Sequence, residues 1–367
     1  MKKFKSPYKF MCILLFPISI LLSYIASFTP LFIEKIYSNY LYRFIGQSLS
    51  IIFGFLPFSI FEFMLLFLLF FIVWKIIGII LKIIKEKSHR KYLVIHFLTN
   101  IFIFISIAYF LFIVLWGLNY YRLPFSKIAK LDVKPASSME LEIVCEDLID
   151  RTNKLRNMVH ENKDGIMNLS TSYVDMFNRA SKGYEIAIHI YPELSGKYGN
   201  PKGVVFSQAL SFAGIGGIYS PFTGEANVNI AMPDSILPST ACHEMAHQRG
   251  FAREDEANYI AYLACNMHPD VDFQYSGTLL ALIHSMNALF RYDPEKYIIL
   301  HKSYSKGLLQ DLSAIKTFWQ QYEGPIERAS SEINNAYLKS NRQNDGVQSY
   351  GRMVDLLIAE YRLKMSK

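Results

Sequence analysis

The chain has 367 residues, 51% of them hydrophobic, with a mean hydropathy of +0.18 and a formal net charge of +7. The apolar excess sits in the first third, in runs too long for the buried helices of a soluble enzyme. Much of the positive charge flanks those runs, and no basic stripe with interleaved aromatics follows them. The charge therefore reads as membrane topology and contact with anionic lipid, and excludes nucleic acid as the expected partner.

Three apolar runs come first: Met11 to Phe32, Ile51 to Leu81 and Ile95 to Leu118. Each exceeds the roughly 20 residues needed to cross a bilayer core. Ile25-Ala26-Ser27-Phe28 lacks a small-x-small cleavage site, so the first run is expected to stay as an anchor. Lys2, Lys3, Lys5 and Lys9 precede it. Lys82, Lys85, Lys87, Arg90 and Lys91 separate the second and third runs, whereas the first connection carries only Lys35 and Arg43 against Glu34. The positive-inside rule then puts the N-terminus and the second connection in the cytoplasm, and everything after Tyr120 outside. Trp116, Tyr120, Tyr121 and Arg122 stand where an interfacial aromatic anchor is expected. Glu62 and Lys75 interrupt the second run, and charges at such depth raise a transporter or channel as one reading. Lys75 could instead snorkel, and three helices offer few pathways. The expected organisation is a three-helix transmembrane region, 1–122, and an extracytoplasmic domain, 123–367.

A short polar linker with Pro135, Ser137 and Ser138 opens the second part. Helical spacing follows over Met139–Asn162, with another helix near Thr171–Tyr184. Val204-Val205-Phe206 is a β-like run. The glycines and Pro221 between Ala213 and Gly224 read as turns, and Glu225–Ile230 alternates as a strand does. A small sheet directly before the next helix could accept an extended substrate as an added strand, or simply pack beneath that helix. Pro238 suits a first helical turn and Gly250 a helix stop. A second helix is expected over Arg253–Met267, its first turn crowded with acids that suit the helix dipole. Further helices are expected at Thr278–Phe290, Ser305–Tyr322, Ile326–Arg342 and Val347–Leu363. The four cysteines, Cys12, Cys145, Cys242 and Cys265, match no zinc-ribbon or paired CxxC spacing. Buried thiols are expected in preference to a Cys242–Cys265 bridge.

Between the expected strand and Gly250 lies His243-Glu244-Met245-Ala246-His247, an HExxH motif. Residues four apart share a helix face, so the two imidazoles can bind one Zn²⁺, with Glu244 beside it as a base for water. Catalytic zinc usually takes three protein ligands and keeps one position open. Arg253 stands where the third His of an HExxHxxGxxH pattern would be, which excludes that version. Glu254, Asp255 and Glu256 are the nearest alternatives. Glu254 and Asn258 share a face, so Glu254 could bind metal while Asn258 hydrogen-bonds a ligand His. Glu256 points about 160° from Glu254 on a 3.6-residue helix, so both cannot serve one ion. Glu254 is preferred and Glu256 is kept as the alternative. Tyr350, Arg352, His284 and His301 are candidate oxyanion donors among which spacing does not choose.

HExxH followed by the helix Glu254-Asp255-Glu256-Ala257-Asn258 resembles the gluzincin peptidases, whose zinc site is two His and a Glu. The wider string His243 to Asn258, with Trp116-Gly117-Leu118-Asn119-Tyr120-Tyr121-Arg122 and Pro221-Phe222-Thr223-Gly224-Glu225-Ala226-Asn227, also resembles a bacterial family of uncharacterised three-pass membrane proteins with an HExxH outer domain. The gap from His247 to Glu254 is shorter than in the gluzincins proper. The resemblance implies a mainly α protein with an α+β, zincin-like, helix-rich outer domain and a small β-sheet. It implies a multi-pass cell-membrane zinc metallopeptidase with His243, His247 and Glu254 on Zn²⁺ and Glu244 as catalytic base. The expected substrate is a peptide, an envelope protein or a cell-wall peptide, and the expected surroundings are the lipid bilayer. A metal-binding outer domain used for signalling without turnover is the alternative.

Overall fold

A computed structural model describes residues 7–365, so Lys2, Lys3 and Lys5, on which the expected cytoplasmic N-terminus partly rests, lie outside the described residues. Over the described residues the chain is mainly α-helical, with three long apolar helices near the N-terminus and one small sheet. Segments Tyr8–Phe28, Ile60–Lys85 and Lys87–Leu115 are long and apolar enough to cross a membrane. None of the most apolar window of Ile60–Lys85 is buried against protein, so its surface calls for lipid as solvent. The first helix, Pro7–Phe28, lies along Arg90–Leu115. Phe16 packs on Phe102 and Tyr109, and Ser106 donates to the Cys12 carbonyl at 2.7 Å, which satisfies a hydroxyl that lipid could not.

The second apolar run is not one span. Its first residues end the helix Arg43–Gly54; a turn around Pro57 follows, and Ser59 caps the helix that starts at Ile60. Nor is the connection before it a loop. Pro30–Phe32, the π-helical Ile33–Tyr42 and Arg43–Gly54 run on from one another and pack into the C-terminal part. Glu34 is buried there and takes a two-pronged bond from Arg122, at 2.9 and 2.7 Å. The Tyr42 hydroxyl donates toward the His247 and Gln248 carbonyls, which end the motif helix. Trp116, Tyr120 and Arg122 are likewise buried, so these expected interfacial anchors instead pack the third span onto the C-terminal part. A ring and a cation just past a hydrophobic run have the same composition whether they meet headgroups or a folded partner.

Glu62 is also accounted for by packing. Its carboxylate accepts from the amides of Val205 and Phe206 at 3.0 and 2.6 Å. In return Glu225 accepts from the amides of Ile60 and Phe61, which caps the free N–H groups of the span's first turn. Lys202 completes this clamp with a buried 2.7 Å ion pair to Glu225. Lys75 lies over the rings of Phe71 and Trp74.

The sheet has the order β1-β3-β2, with β1 at Lys202–Gly203, β2 at Gly217–Ser220 and β3 at Glu225–Val228. The run Val204-Val205-Phe206 is therefore not itself a strand; Val204 only bonds the Val228 carbonyl at the sheet's end. The expected strand at Glu225 is the central one, parallel to β1 and antiparallel to β2, so the free edge near the motif belongs to β2.

The helices Leu237–Gln248, Glu254–Met267 and Val271–Tyr292 pack together as the core of the C-terminal part. Ser138–Arg156 lies against the last of these and starts one residue before the expected Met139; its cap is Ser137, paired with Glu140 in a reciprocal capping box. The region near Thr171 divides into Tyr173–Arg179 and Ser181–Ala187. Lys306–Gln320 and Pro325–Ser340 stand near their expected places; after them a 3-10 stretch, Gly346–Arg352, leads into Met353–Met365. Cys242 and Cys265 are neighbouring buried free thiols.

Candidate metal centre

The motif helix Leu237–Gln248 begins with Pro238 in its first turn, where the missing N–H costs nothing. It ends at Gly250, whose φ of +82° a side chain would resist. This turn reverses the chain, so the next helix starts at Glu254 and lays its first turn against His243 and His247. The two imidazole Nε2 atoms lie 3.1 and 3.5 Å from the Glu254 Oε2. The three ligating atoms all fall within 4.8 Å of one another.

Hydrogen bonds on the far side of each ring fix these lone pairs. His247 Nδ1 donates to the Phe251 carbonyl at 2.7 Å, and a carbonyl can only accept. Asn258 gives its amide N–H to the Tyr350 carbonyl at 3.1 Å, which leaves its Oδ1 to accept from His243 Nδ1 at 2.8 Å. Both Nε2 atoms thus turn a lone pair toward Glu254, and three acceptors facing one another require a cation between them. Among the protein's own groups, a proton serves. Burial alone would depress His247, but the Glu254 carboxylate raises it to about 9. Burial likewise opposes the charge on Glu254, yet His247 and His243 hold it at about 2. A divalent ion would compete with that proton. Two imidazole nitrogens and one carboxylate oxygen form a donor set that suits zinc. If Asn258 orients His243 in this way, Asn258→Ala is expected to weaken metal affinity by about 10–100-fold, measured by competition with a chromophoric chelator.

Glu256 is turned away. It accepts from the Phe125 amide at 2.9 Å and from Arg253 at 2.6 Å, fixing the start of the helix. Glu244 lies on the other side of the two histidines, against β2. A Cβ on Gly217 would come 2.5 Å from Glu244 Oε1, so only glycine lets the strand pass this close. Burial raises the Glu244 pKa, countered in part by the two imidazoles and by the Tyr219 amide. Its Oε2 is buried and receives no hydrogen bond among the described residues.

These groups open onto a cavity of about 710 Å³. One wall is Gly216–Tyr219, with the free edge of β2; another is the helix Pro325–Ser340 through Asn334 and Tyr337. Of the four candidate oxyanion donors, Tyr350 lines this cavity. Its ring stacks on His243 at 18°, and its hydroxyl lies within hydrogen-bonding reach of Glu254 and Asn334. Arg352 pairs with Asp345, His301 lies tilted between the rings of Tyr297 and Tyr304, and His284 does not line the cavity. Sequence reasoning missed an aromatic wall. The Trp116 and Tyr219 rings lie 4.8 Å apart, the Trp116 ring is 5.9 Å from His247, and the Tyr120 and Tyr337 hydroxyls are 2.9 Å apart. The string from Trp116 to Arg122 contained that signal, but composition assigned it to lipid.

The protein is thus mainly helical, with three helices long and apolar enough to cross a membrane and a buried two-His, one-Glu cluster beside an edge strand. The sequence matches DUF3810, described as a protein of unknown function, over residues 37–358, and the chain belongs to that family. The match takes in most of the segment after the first span, the second and third spans and the whole site. No curated protein matches the chain significantly, and no solved structure does.

Proposed function

We propose that this protein is a membrane-anchored zinc-dependent peptidase acting outside the cytoplasmic membrane. One observation carries the reading: three fixed ligand atoms and the unbonded Oε2 of Glu244 share one cavity with the edge of β2. His243, His247 and Glu254 would hold the ion. When bound, zinc would polarise the scissile carbonyl and acidify water to a pKa of about 7. Glu244 takes the proton from the attacking water and hands it to the leaving amine. The edge of β2 beyond the Tyr219 amide, which Glu244 already takes, would align an extended peptide across the site. The Tyr350 hydroxyl, which lines the same cavity, would serve as a donor for the developing oxyanion.

The site stands at the ends of the second and third spans opposite their connecting basic stretch, which supports an extracytoplasmic location. The transporter reading loses its motive, because Glu62 and Lys75 both have structural partners. Purified full-length protein in detergent should hydrolyse a mixed-sequence quenched-fluorescent peptide pool. A chelator should bring the rate to background, and added zinc should restore it. A rate unaffected by chelation would remove the metallopeptidase reading.

A further inference from the structure

The cavity is built partly from the ends of the membrane spans. Trp116 directly follows the helix Arg90–Leu115, and both Trp116 and Tyr120 line the cavity that holds His243 and Glu244. Phe112, in the last turn of that span, packs edge-on against Tyr337 of the opposite wall at 6.2 Å between centroids. On the other side, Ala213–Gly217 forms the lip of the cavity and continues from the helix Ser207–Phe212. The start of that short helix is bound by Glu62, in the first turn of the second span. The cavity therefore lies between the same ends of two spans, with no intervening stalk.

Length places those ends. Each of the two spans has 26 residues and so rises about 39 Å, against about 30 Å for a hydrocarbon core. Their basic ends, Lys82 and Lys85 on one and Arg90 and Lys91 on the other, belong at the opposite surface. The catalytic groups then stand within about 10 Å of the hydrocarbon, in the headgroup layer. The rim agrees with that depth. Phe55, Val205 and Phe206 are 85%, 63% and 49% exposed beside the start of the second span, too apolar a patch for open water. On the far side, Lys339 and Arg342 line a polar recess beside Tyr120, and such cations suit lipid phosphates.

We infer that the substrate is the juxtamembrane segment of a polypeptide anchored in the same bilayer, cut a few residues from its anchor. The inference rests on the peptidase reading. A strand rises about 3.3 Å per residue, so a site about 10 Å above the hydrocarbon meets the chain roughly three residues from where it leaves the lipid. An anchored chain also meets the free edge of β2 at a high effective concentration.

The test uses the full-length protein in phosphatidylcholine vesicles and the mixed-sequence peptide pool in three forms: free, palmitoylated through a short linker, and palmitoylated through a long flexible linker. Product masses report the position of the cut. The short-linker pool should be cut at least about tenfold faster than the free pool, as tethering predicts, with cuts within about five residues of the anchor. Cleavage of the long-linker pool alone, or equal rates on free and tethered pools, would overturn the inference and leave the peptidase reading standing. No cleavage of any pool, in vesicles or in detergent, would remove both.

Discussion

Glu244→Gln is expected to lower hydrolysis by about 10²–10⁴-fold while leaving metal content unchanged. That range is what a positioned general base contributes. The substitution keeps the shape beside Gly217 and the bond from the Tyr219 amide, and removes only the capacity to take a proton. Glu244 does not belong to the three-atom cluster, so the ion should stay. Turnover of the peptide pool and metal content, measured on one preparation, check both halves. Undiminished turnover would point to another base or to a site that does not hydrolyse.

Glu34→Gln is expected to destabilise the protein by about 3–5 kcal/mol, the cost of leaving a buried guanidinium without its carboxylate. Arg122 and Glu34 have side chains 1% and 6% exposed. Arg122 also donates to the Gly250 carbonyl at 3.0 Å and lies over the Phe251 ring, so the pair braces the turn that brings Glu254 back to the histidines. Thermal unfolding in detergent should show the loss. Glu34→Gln combined with Arg122→Met should cost less than the two single losses added, because no lone charge then remains. Additive losses would mean that the two side chains do not act as a pair.

Local periodicity carried the motif helix, its Pro238 start and its Gly250 stop. The same arithmetic put Glu254 and Asn258 on one face and Glu256 on another, and those are the positions the helix gives them. What lay beyond local sequence was long-range pairing. Glu34 and Arg122 are 88 residues apart, and the pair turns an apparent connecting loop into buried helix. Tyr350 reaches its place through the Asn258 amide, 92 residues away. The expected strand at Glu225 has an alternating pattern but says nothing of order, so the edge position of β2 needed the fold. Glu62 looked like an intramembrane charge because hydropathy ran through Pro57; the turn there makes it a first-turn carboxylate that grips two amides.

The most direct measurement is the zinc content of the purified full-length protein, determined by elemental analysis beside a His243→Ala/His247→Ala variant. About one zinc per chain is expected, the stoichiometry of a mononuclear site, and essentially none in the variant. A folded full-length protein that neither carries nor takes up a divalent ion, or a variant that retains it fully, would mean that His243, His247 and Glu254 are not a metal site.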